Sequence, residues 1–186
     1  MRIISGYLKG KKIVLPKDKK TRPLRDLVKE SIFNILAHSN KISCKIENAQ
    51  ILDLFSGSGS FGLECISRGA KKVFFNENYS EAVKILKKNI NLLDCNKKVE
   101  ILDFDCFNLE KYIENFSDSF DIIFIDPPFK EKKINSLLKI LLSSKLLKQN
   151  GLIILHRESK ENENLIEQFN IVETRIYGIS KIVFGN

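Results

Sequence analysis

Short apolar runs alternate with amphipathic stretches along the chain from residue 50 onward. Each apolar run spans four to six residues and is followed by a polar residue, as in the buried strands of a parallel sheet. Between the runs, apolar residues recur three and four positions apart, which is typical of helices packed on a sheet. The pattern predicts strands at 50–55, 72–75, 99–102, 121–125 and 151–155, and helices at 60–66, 80–93, 107–116, 132–142 and 161–168.

The pattern changes to strict alternation at the end of the sequence. Residues 170–177 and 179–184 alternate apolar and polar side chains on either side of Gly178, which predicts an antiparallel hairpin. Five strand–helix units closed by a hairpin favour an α/β fold, with a seven-stranded, mainly parallel sheet and helices on both faces.

Residues 1–40 lie outside the alternating pattern. They predict a small hairpin at 2–5 and 12–15, a basic loop at 16–23 and an amphipathic helix at 24–37. We therefore divide the chain into a basic N-terminal appendage, residues 1–40, and an α/β domain, residues 41–186.

Composition narrows the class of protein. Hydrophobic residues make up 43% of the 186 residues, which excludes wholesale disorder. No apolar run is long enough to span a membrane, and the N-terminus lacks the apolar region of a signal peptide, so we expect a cytoplasmic protein. We also expect its partner to be a polyanion. That partner class follows from 31 Lys and Arg against 23 Asp and Glu, a net charge of +8. The cysteines (Cys44, Cys65, Cys95 and Cys106) lack metal-binding spacing, so we expect no metal.

A glycine-rich turn follows the first predicted strand. The sequence DLFSGSGSFG at residues 53–62 places G-x-G-x-x-G between a strand and a helix, which favours ligand binding over a tight turn alone. Glu77 and Asp105 follow the next two strands. There the Glu77 carboxylate could bind ribose hydroxyls, and the Asp105 carboxylate could accept from the amino group of an adenine. Asp53 suits a ligand that carries an ammonium group, because a carboxylate repels phosphates.

A second motif, Asp126-Pro127-Pro128-Phe129, follows the most apolar strand. Two prolines fix the backbone at the edge where open α/β sheets bind ligands. The Asp126 carboxylate and the Pro127 carbonyl can accept two hydrogen bonds from a flat –NH₂ group, and Phe129 can stack on a base. The motif therefore predicts chemistry on the exocyclic amine of a nucleobase.

With these motifs the sequence resembles the class I S-adenosylmethionine-dependent methyltransferases, which have a Rossmann-like fold. Within them it resembles the bacterial small-subunit (16S) rRNA guanine-N2 methyltransferase family, the RsmD type. The resemblance rests on RIISG at residues 2–6, Arg22-Pro23, FNIL at 33–36, the block at 53–70, Glu77, the intact DPPF and Tyr177-Gly178.

The resemblance implies transfer of a methyl group from S-adenosylmethionine to guanine N2 of small-subunit rRNA, within an assembling ribosomal subunit, by a monomer without a metal. The catalytic residues implied are Asp126, Pro127, Pro128 and Phe129. The cofactor would contact Asp53, Phe55, Gly57, Ser58, Gly59, Glu77, Asn78, Asp105 and Cys106. The RNA would contact Arg2, Lys11, Lys12, Lys20, Arg22 and Lys130.

Three other functions remain open on the residues alone. An adenine-N6 methyltransferase acting on DNA or RNA shares the D-P-P-aromatic signature. A nicotinamide-dependent oxidoreductase shares G-x-G-x-x-G but has no use for Asp126-Pro127-Pro128-Phe129. A catalytically silent RNA-binding protein would share the basic segment but would not need an intact motif.

Overall fold

The computed structural model describes residues 1–18, 24–116, 119–160 and 164–186. The strands are β1 Gln50–Leu54, β2 Lys72–Asn76, β3 Val99–Leu102, β4 Phe120–Ile125, β5 Leu147–Glu158, β6 Ile171–Tyr177 and β7 Ser180–Gly185. The α-helices are α1 Asp26–His38, α2 Ser60–Ser67, α3 Ser80–Leu92 and α4 Ile134–Ser143. Shorter 3₁₀ helices cover Asn96–Lys98 and Cys106–Asn115. No helix in these ranges is long and apolar enough to cross a membrane.

All seven strands form one sheet in the order β3-β2-β1-β4-β5-β7-β6. Strands β1 to β5 pair in parallel, and β7 runs antiparallel to both β5 and β6. The predicted mainly parallel sheet with a C-terminal hairpin is confirmed. Because the chain builds outward from β1 to β3 and then returns to the other side of β1, the strand order reverses between β1 and β4. Such a reversal opens a crevice at the carboxyl ends of the strands.

Two apolar clusters cover the two faces of the sheet. The first packs α1, α2, α3 and the N-terminal segment against one face, with stacked rings of Phe33, Phe61 and Phe124 at its centre. The second packs α4 and the 3₁₀ helix Cys106–Asn115 against the other face. Both clusters consist of side chains that are nearly inaccessible to solvent, and the central strands β1, β2 and β4 are buried along almost their whole length, as expected of strands covered on both faces.

The prediction of a helix at 161–168 is wrong for residues 164–168, the part that the structure describes. Residues 164–170 are irregular apart from a turn at 167–168 and a bend at 169, while residues 161–163 lie outside the described ranges. The Asn135 side chain accepts from Ile166 N at 3.1 Å and donates to Asn164 O at 2.9 Å. A side chain of α4 thereby replaces the helical hydrogen bonds, and Leu165, Ile166 and Phe169 pack on the second cluster.

The N-terminal segment packs onto the sheet domain through α2. An antiparallel bridge pairs Arg2 with Lys12, as the predicted hairpin requires, and Ile3, Leu8 and Ile13 join the first cluster. Gly6 lies at φ +81°, and a Cβ there would lie 1.8 Å from Ser67 O, so only glycine allows this approach to α2.

A buried group of charged side chains fixes this contact. The Glu64 carboxylate accepts from Ile4 N at 2.7 Å, from Ser5 N at 2.9 Å and from Arg68 Nε at 2.8 Å. Lys29 Nζ lies 3.8 Å from Glu64 Oε2 and donates to Arg2 O at 2.9 Å. Burial lowers the pKa of Lys29, and the neighbouring Glu64 opposes that effect. Glu64 therefore satisfies both the buried ammonium and the backbone of the N-terminal segment.

We expect Glu64→Leu to lower the free energy of unfolding by about 3–5 kcal/mol, because it removes the buried carboxylate that neighbours the Lys29 ammonium and leaves the N–H groups of Ile4 and Ser5 without their acceptor. Urea titration followed by circular dichroism measures the loss. Glu81→Leu is the matched control: Glu81 pairs with Lys84 on the exposed face of α3, where an ion pair contributes about 0–1 kcal/mol. Equal losses for the two variants would contradict the role given to Glu64.

Candidate active site

A cavity of about 620 Å³ opens at the carboxyl ends of β1 and β4, where the strand order reverses. Its volume is in the range of small-molecule sites. The residues that the sequence predicted for the cofactor and for catalysis and that line it are Asp53, Phe55, Gly57, Ser58, Glu77, Asn78, Asp105, Asp126, Pro127, Pro128 and Phe129. The fold thus brings both motifs to one cavity.

The glycine-rich turn depends on its glycines and on a hydrogen bond from α3. Gly57 and Gly59 have φ of +55° and +81°, values that favour glycine. Asn89 of α3 donates to Ser58 O at 2.9 Å. Gly59 itself is not at the cavity surface: a Cβ there would lie 2.5 Å from Leu86 Cδ1, so this glycine allows the turn to pack on α3.

Glu77 connects the glycine-rich turn to the start of α3. Its Oε2 accepts from Gly57 N and its Oε1 accepts from Tyr79 N, both at 2.8 Å. A carboxylate oxygen has two lone pairs, so each oxygen can still accept a further hydrogen bond from a ligand in the cavity. Glu77 therefore shapes the turn as well as lining the site.

Asp53 is the buried acid of the cavity. Its side chain lies at the end of β1, and Oδ2 accepts from Gly62 N at 3.0 Å. Its Oδ1 is buried and has no hydrogen-bond partner among the residues that the structure describes. Burial raises the pKa of Asp53 well above its usual range, and the nearby Asp126 and Glu77 raise it further. A buried carboxylate oxygen without a hydrogen-bond partner in the described part of the chain, such as Asp53 Oδ1, suits a cationic group of a ligand.

Asp105 and Cys106 occupy different environments although they are adjacent. Asp105 is exposed, lines the cavity and accepts from Phe107 N at 3.0 Å, which begins the 3₁₀ helix. Cys106 is buried in the second cluster and is not among the lining residues. Phe107, which the sequence did not single out, lines the cavity instead, with its ring 5.7 Å from that of Phe55.

The Asp126-Pro127-Pro128-Phe129 segment lines the same cavity as the glycine-rich turn. Asp126 continues β4, with its side chain 13% exposed. Pro127 is buried, Pro128 is exposed and Phe129 is half-buried, so the acid and the aromatic ring both border the cavity.

Two residues at the end of β5, His156 and Arg157, contact this segment and were missed in the sequence. His156 Nδ1 lies 2.8 Å from Asp126 Oδ1, and Arg157 donates to Glu131 O at 2.9 Å. Both side chains are buried. The sequence did contain a signal for them: His156 and Arg157 directly follow an apolar strand, as Asp126 does, and so lie at the same edge of the sheet.

The predicted RNA contacts are distributed around the N-terminal segment and the loop after β4. Arg2, Lys11, Lys12 and Lys130 are exposed, whereas Lys20 and Arg22 lie outside the described residues. Val14 N and Val14 O both bond the Asn89 side chain, at 2.8 and 2.9 Å, and Pro16 lines the cavity. The basic segment therefore leads to the cavity opening.

Metal ligands do not cluster in the described ranges: no group of three or more His, Cys, Asp or Glu side chains there could hold a metal ion.

The raised pKa of Asp53 predicts a pH-dependent stability. Asp53 binds its proton more tightly in the folded chain than in the unfolded chain, where its pKa is about 3.9, so its favourable contribution is lost as pH rises through the folded value. Asp53→Asn has no such loss. In urea titrations of the ligand-free protein, the stability of Asp53→Asn relative to wild type should increase as pH rises from about 4 toward 8. A constant difference would contradict the assignment.

Comparisons with known proteins show the family of the chain. The model of the family described as Conserved hypothetical protein 95 matches residues 1–186. The chain is 33% identical over 180 residues to ribosomal RNA small subunit methyltransferase D of Haemophilus influenzae, covering 96% of this chain and 90% of that protein.

Solved structures support the same fold. The chain superposes on yhhF from Escherichia coli with a TM-score of 0.82 and 25% identity, covering 100% of this chain and 96% of that one. It also superposes on SMU.776, a structure complexed with SAH, with a TM-score of 0.65 and 19% identity, covering 84% of this chain and 48% of that one. The chain therefore belongs to the Conserved hypothetical protein 95 family, that of the RsmD-type methyltransferases.

Proposed function

We propose that the protein methylates the exocyclic N2 amine of a guanine in small-subunit rRNA and uses S-adenosylmethionine as the methyl donor. The observation that carries the proposal is that Asp126-Pro127-Pro128-Phe129 lines one cavity together with the glycine-rich turn and Asp53. The relative from Haemophilus influenzae is named for small-subunit rRNA methylation and supports the RNA substrate.

The donor set of the cavity fits S-adenosylmethionine. The buried Asp53 Oδ1, which has no partner among the described residues, suits the ammonium of the amino-acid portion. Glu77 suits the ribose hydroxyls, and Asp105 with the ring of Phe107 suits the adenine. The similar fold of SMU.776, solved with SAH, supports this use of the cavity.

Bound S-adenosylmethionine supplies an activated methyl group on a sulfonium. The protein must then orient an amine whose lone pair is delocalised into the guanine ring. Asp126 and the Pro127 carbonyl would accept hydrogen bonds from the amine, which keeps electron density on nitrogen and directs it at the methyl carbon. Phe129 would hold the base by stacking, and burial of Asp126 strengthens the hydrogen bond that it accepts.

The N-terminal segment would dock the RNA. Lys11 and Lys12 are exposed on a segment that is fixed to α2 and α3 and that ends at the cavity. Phosphate contacts from such side chains position a nucleic acid without reading its sequence. Lys130 is exposed in the loop after β4, next to the cavity-lining Phe129, so it would add a second basic contact near the base that enters the site.

A pair of variants separates the two roles of the cavity. Asp126→Ala should abolish rRNA methylation with little change in S-adenosylmethionine affinity, because Asp126 contacts the amine in this proposal. Glu77→Ala should weaken S-adenosylmethionine binding by about 1–3 kcal/mol, because it removes a ribose acceptor and releases the glycine-rich turn. Calorimetry gives the affinities and transfer of a labelled methyl group gives the activity. Near-normal methylation by Asp126→Ala would refute the proposed chemistry.

Charge reversal tests the docking surface. Lys11→Glu with Lys12→Glu should weaken RNA binding and flatten its salt dependence by about one unit of slope for each lost phosphate contact. The matched control reverses Lys139 on α4 and Lys145 just after it, both of which are exposed, and should change both quantities much less. Fluorescence titrations at several salt concentrations measure them. Equal effects of the two pairs would show that only net charge matters.

A further inference from the structure

A row of polar side chains crosses the face of the sheet that carries the first cluster. Asp53, Asp126 and His156 lie at or just beyond the carboxyl ends of β1, β4 and β5, and Ser180 lies at the start of β7. The register explains their alignment: Ile125 pairs with Leu155, so Asp126 and His156 are adjacent, and Ile182 pairs with His156, which places Ser180 on the diagonal. The proposed chemistry uses the first two residues and leaves His156 without a role.

His156 joins the proposed catalytic acid to a hydroxyl in the core. Its side chain is 3% exposed, with Nδ1 2.8 Å from Asp126 Oδ1 and Nε2 2.9 Å from Ser180 Oγ. An ionised carboxylate can only accept, so Nδ1 donates to Asp126. In the tautomer with its one N–H at Nδ1, Nε2 accepts from the Ser180 hydroxyl. Ser180 thereby fixes the tautomer that Asp126 needs.

The same imidazole also contacts the stacking ring. The Phe129 ring centroid lies 5.5 Å from that of His156, with an interplanar angle of 83°. An edge-to-face contact of this kind favours one ring orientation. One buried side chain therefore touches both groups that the proposed function places against the target guanine.

Burial of an imidazole at this position is costly unless its two nitrogens are paired. Both nitrogens of His156 are paired, so the imidazole is satisfied in its buried place and its ring is held in one orientation.

We propose that His156 is a positioning residue of the methyl transfer, which rests on the proposed function: it holds the Asp126 carboxylate and the Phe129 ring in the orientation that receives the guanine amine, and Ser180 selects its tautomer. Misplacement of catalytic groups by about 1 Å costs on the order of 100-fold in rate. His156 acts through Asp126 and Phe129 and has no contact with the donor, so its loss should reduce kcat and leave the affinity for S-adenosylmethionine unchanged.

The decisive comparison is between His156→Asn and His156→Gln. The Asn amide nitrogen can take the place of Nδ1 and donate to Asp126, whereas the Gln amide reaches the place of Nε2 and retains only Ser180. We expect His156→Asn to keep kcat within about threefold of wild type and His156→Gln to lose on the order of 10-fold or more. Both variants replace the ring with a buried amide, so a purely structural role predicts similar kcat values.

Two further variants keep the test interpretable if either amide variant unfolds. Ser180→Ala removes only the hydrogen bond that sets the tautomer and should lower kcat by roughly 3- to 10-fold. Ile182→Val removes one methyl group from the directly paired position and should leave kcat unchanged. Calorimetry with S-adenosylmethionine and circular dichroism accompany every kinetic measurement, with small-subunit rRNA as the substrate.

The outcomes separate this inference from the proposed function. If wild type fails to methylate rRNA, or Asp126→Ala retains activity, the proposed function fails. If those controls behave as proposed but His156→Gln and Ser180→Ala keep the wild-type kcat, the positioning role alone is refuted. A lower affinity for S-adenosylmethionine with normal kcat would also refute it, since His156 would then serve the cofactor side of the cavity.

Discussion

The reversal of strand order between β1 and β4 is the constraint on which the site depends. Parallel pairing places the carboxyl ends of both strands at one edge, and the reversal leaves a crevice there because α2, which follows β1, and α4, which follows β4, pack on opposite faces of the sheet. Asp53 lies at the end of β1 and Asp126 directly after β4, so the pairing of these strands alone brings the two acids to one cavity. The proposed chemistry needs both acids there, because one would bind the cofactor and the other the substrate.

Asp53 and Asp126 are two acids held near one another in a buried site, which is unfavourable. Their surroundings compensate for this in two different ways. The raised pKa of Asp53 reflects burial first and the nearby acids second. Asp126 is stabilised differently, by a hydrogen bond from His156 within a row that ends at Ser180. We infer that Asp53 gains its missing partner when a cationic ligand binds, whereas the protein itself already orients Asp126.

The sequence predicted the parallel sheet, the hairpin and most cavity residues, because strand ends and glycine turns are local signals. It failed where a distant side chain decides the local structure. Asn135 replaces the backbone hydrogen bonds of a helix predicted at 161–168. His156 acquires its partners only from the register of β5 with β4 and β7, and Glu64 acquires Ile4 and Ser5 only when the N-terminal segment packs on α2. No spacing within the sequence reports such contacts.

Identification of the methylated nucleoside tests the central claim most directly. The purified protein would be incubated with isotopically labelled S-adenosylmethionine and either unmodified 16S rRNA or assembled small subunits, and the RNA would be digested to nucleosides for mass spectrometry. The account predicts label in N2-methylguanosine and none with Asp126→Ala. Label in N6-methyladenosine, or none in either RNA substrate while S-adenosylmethionine binds normally, would contradict it.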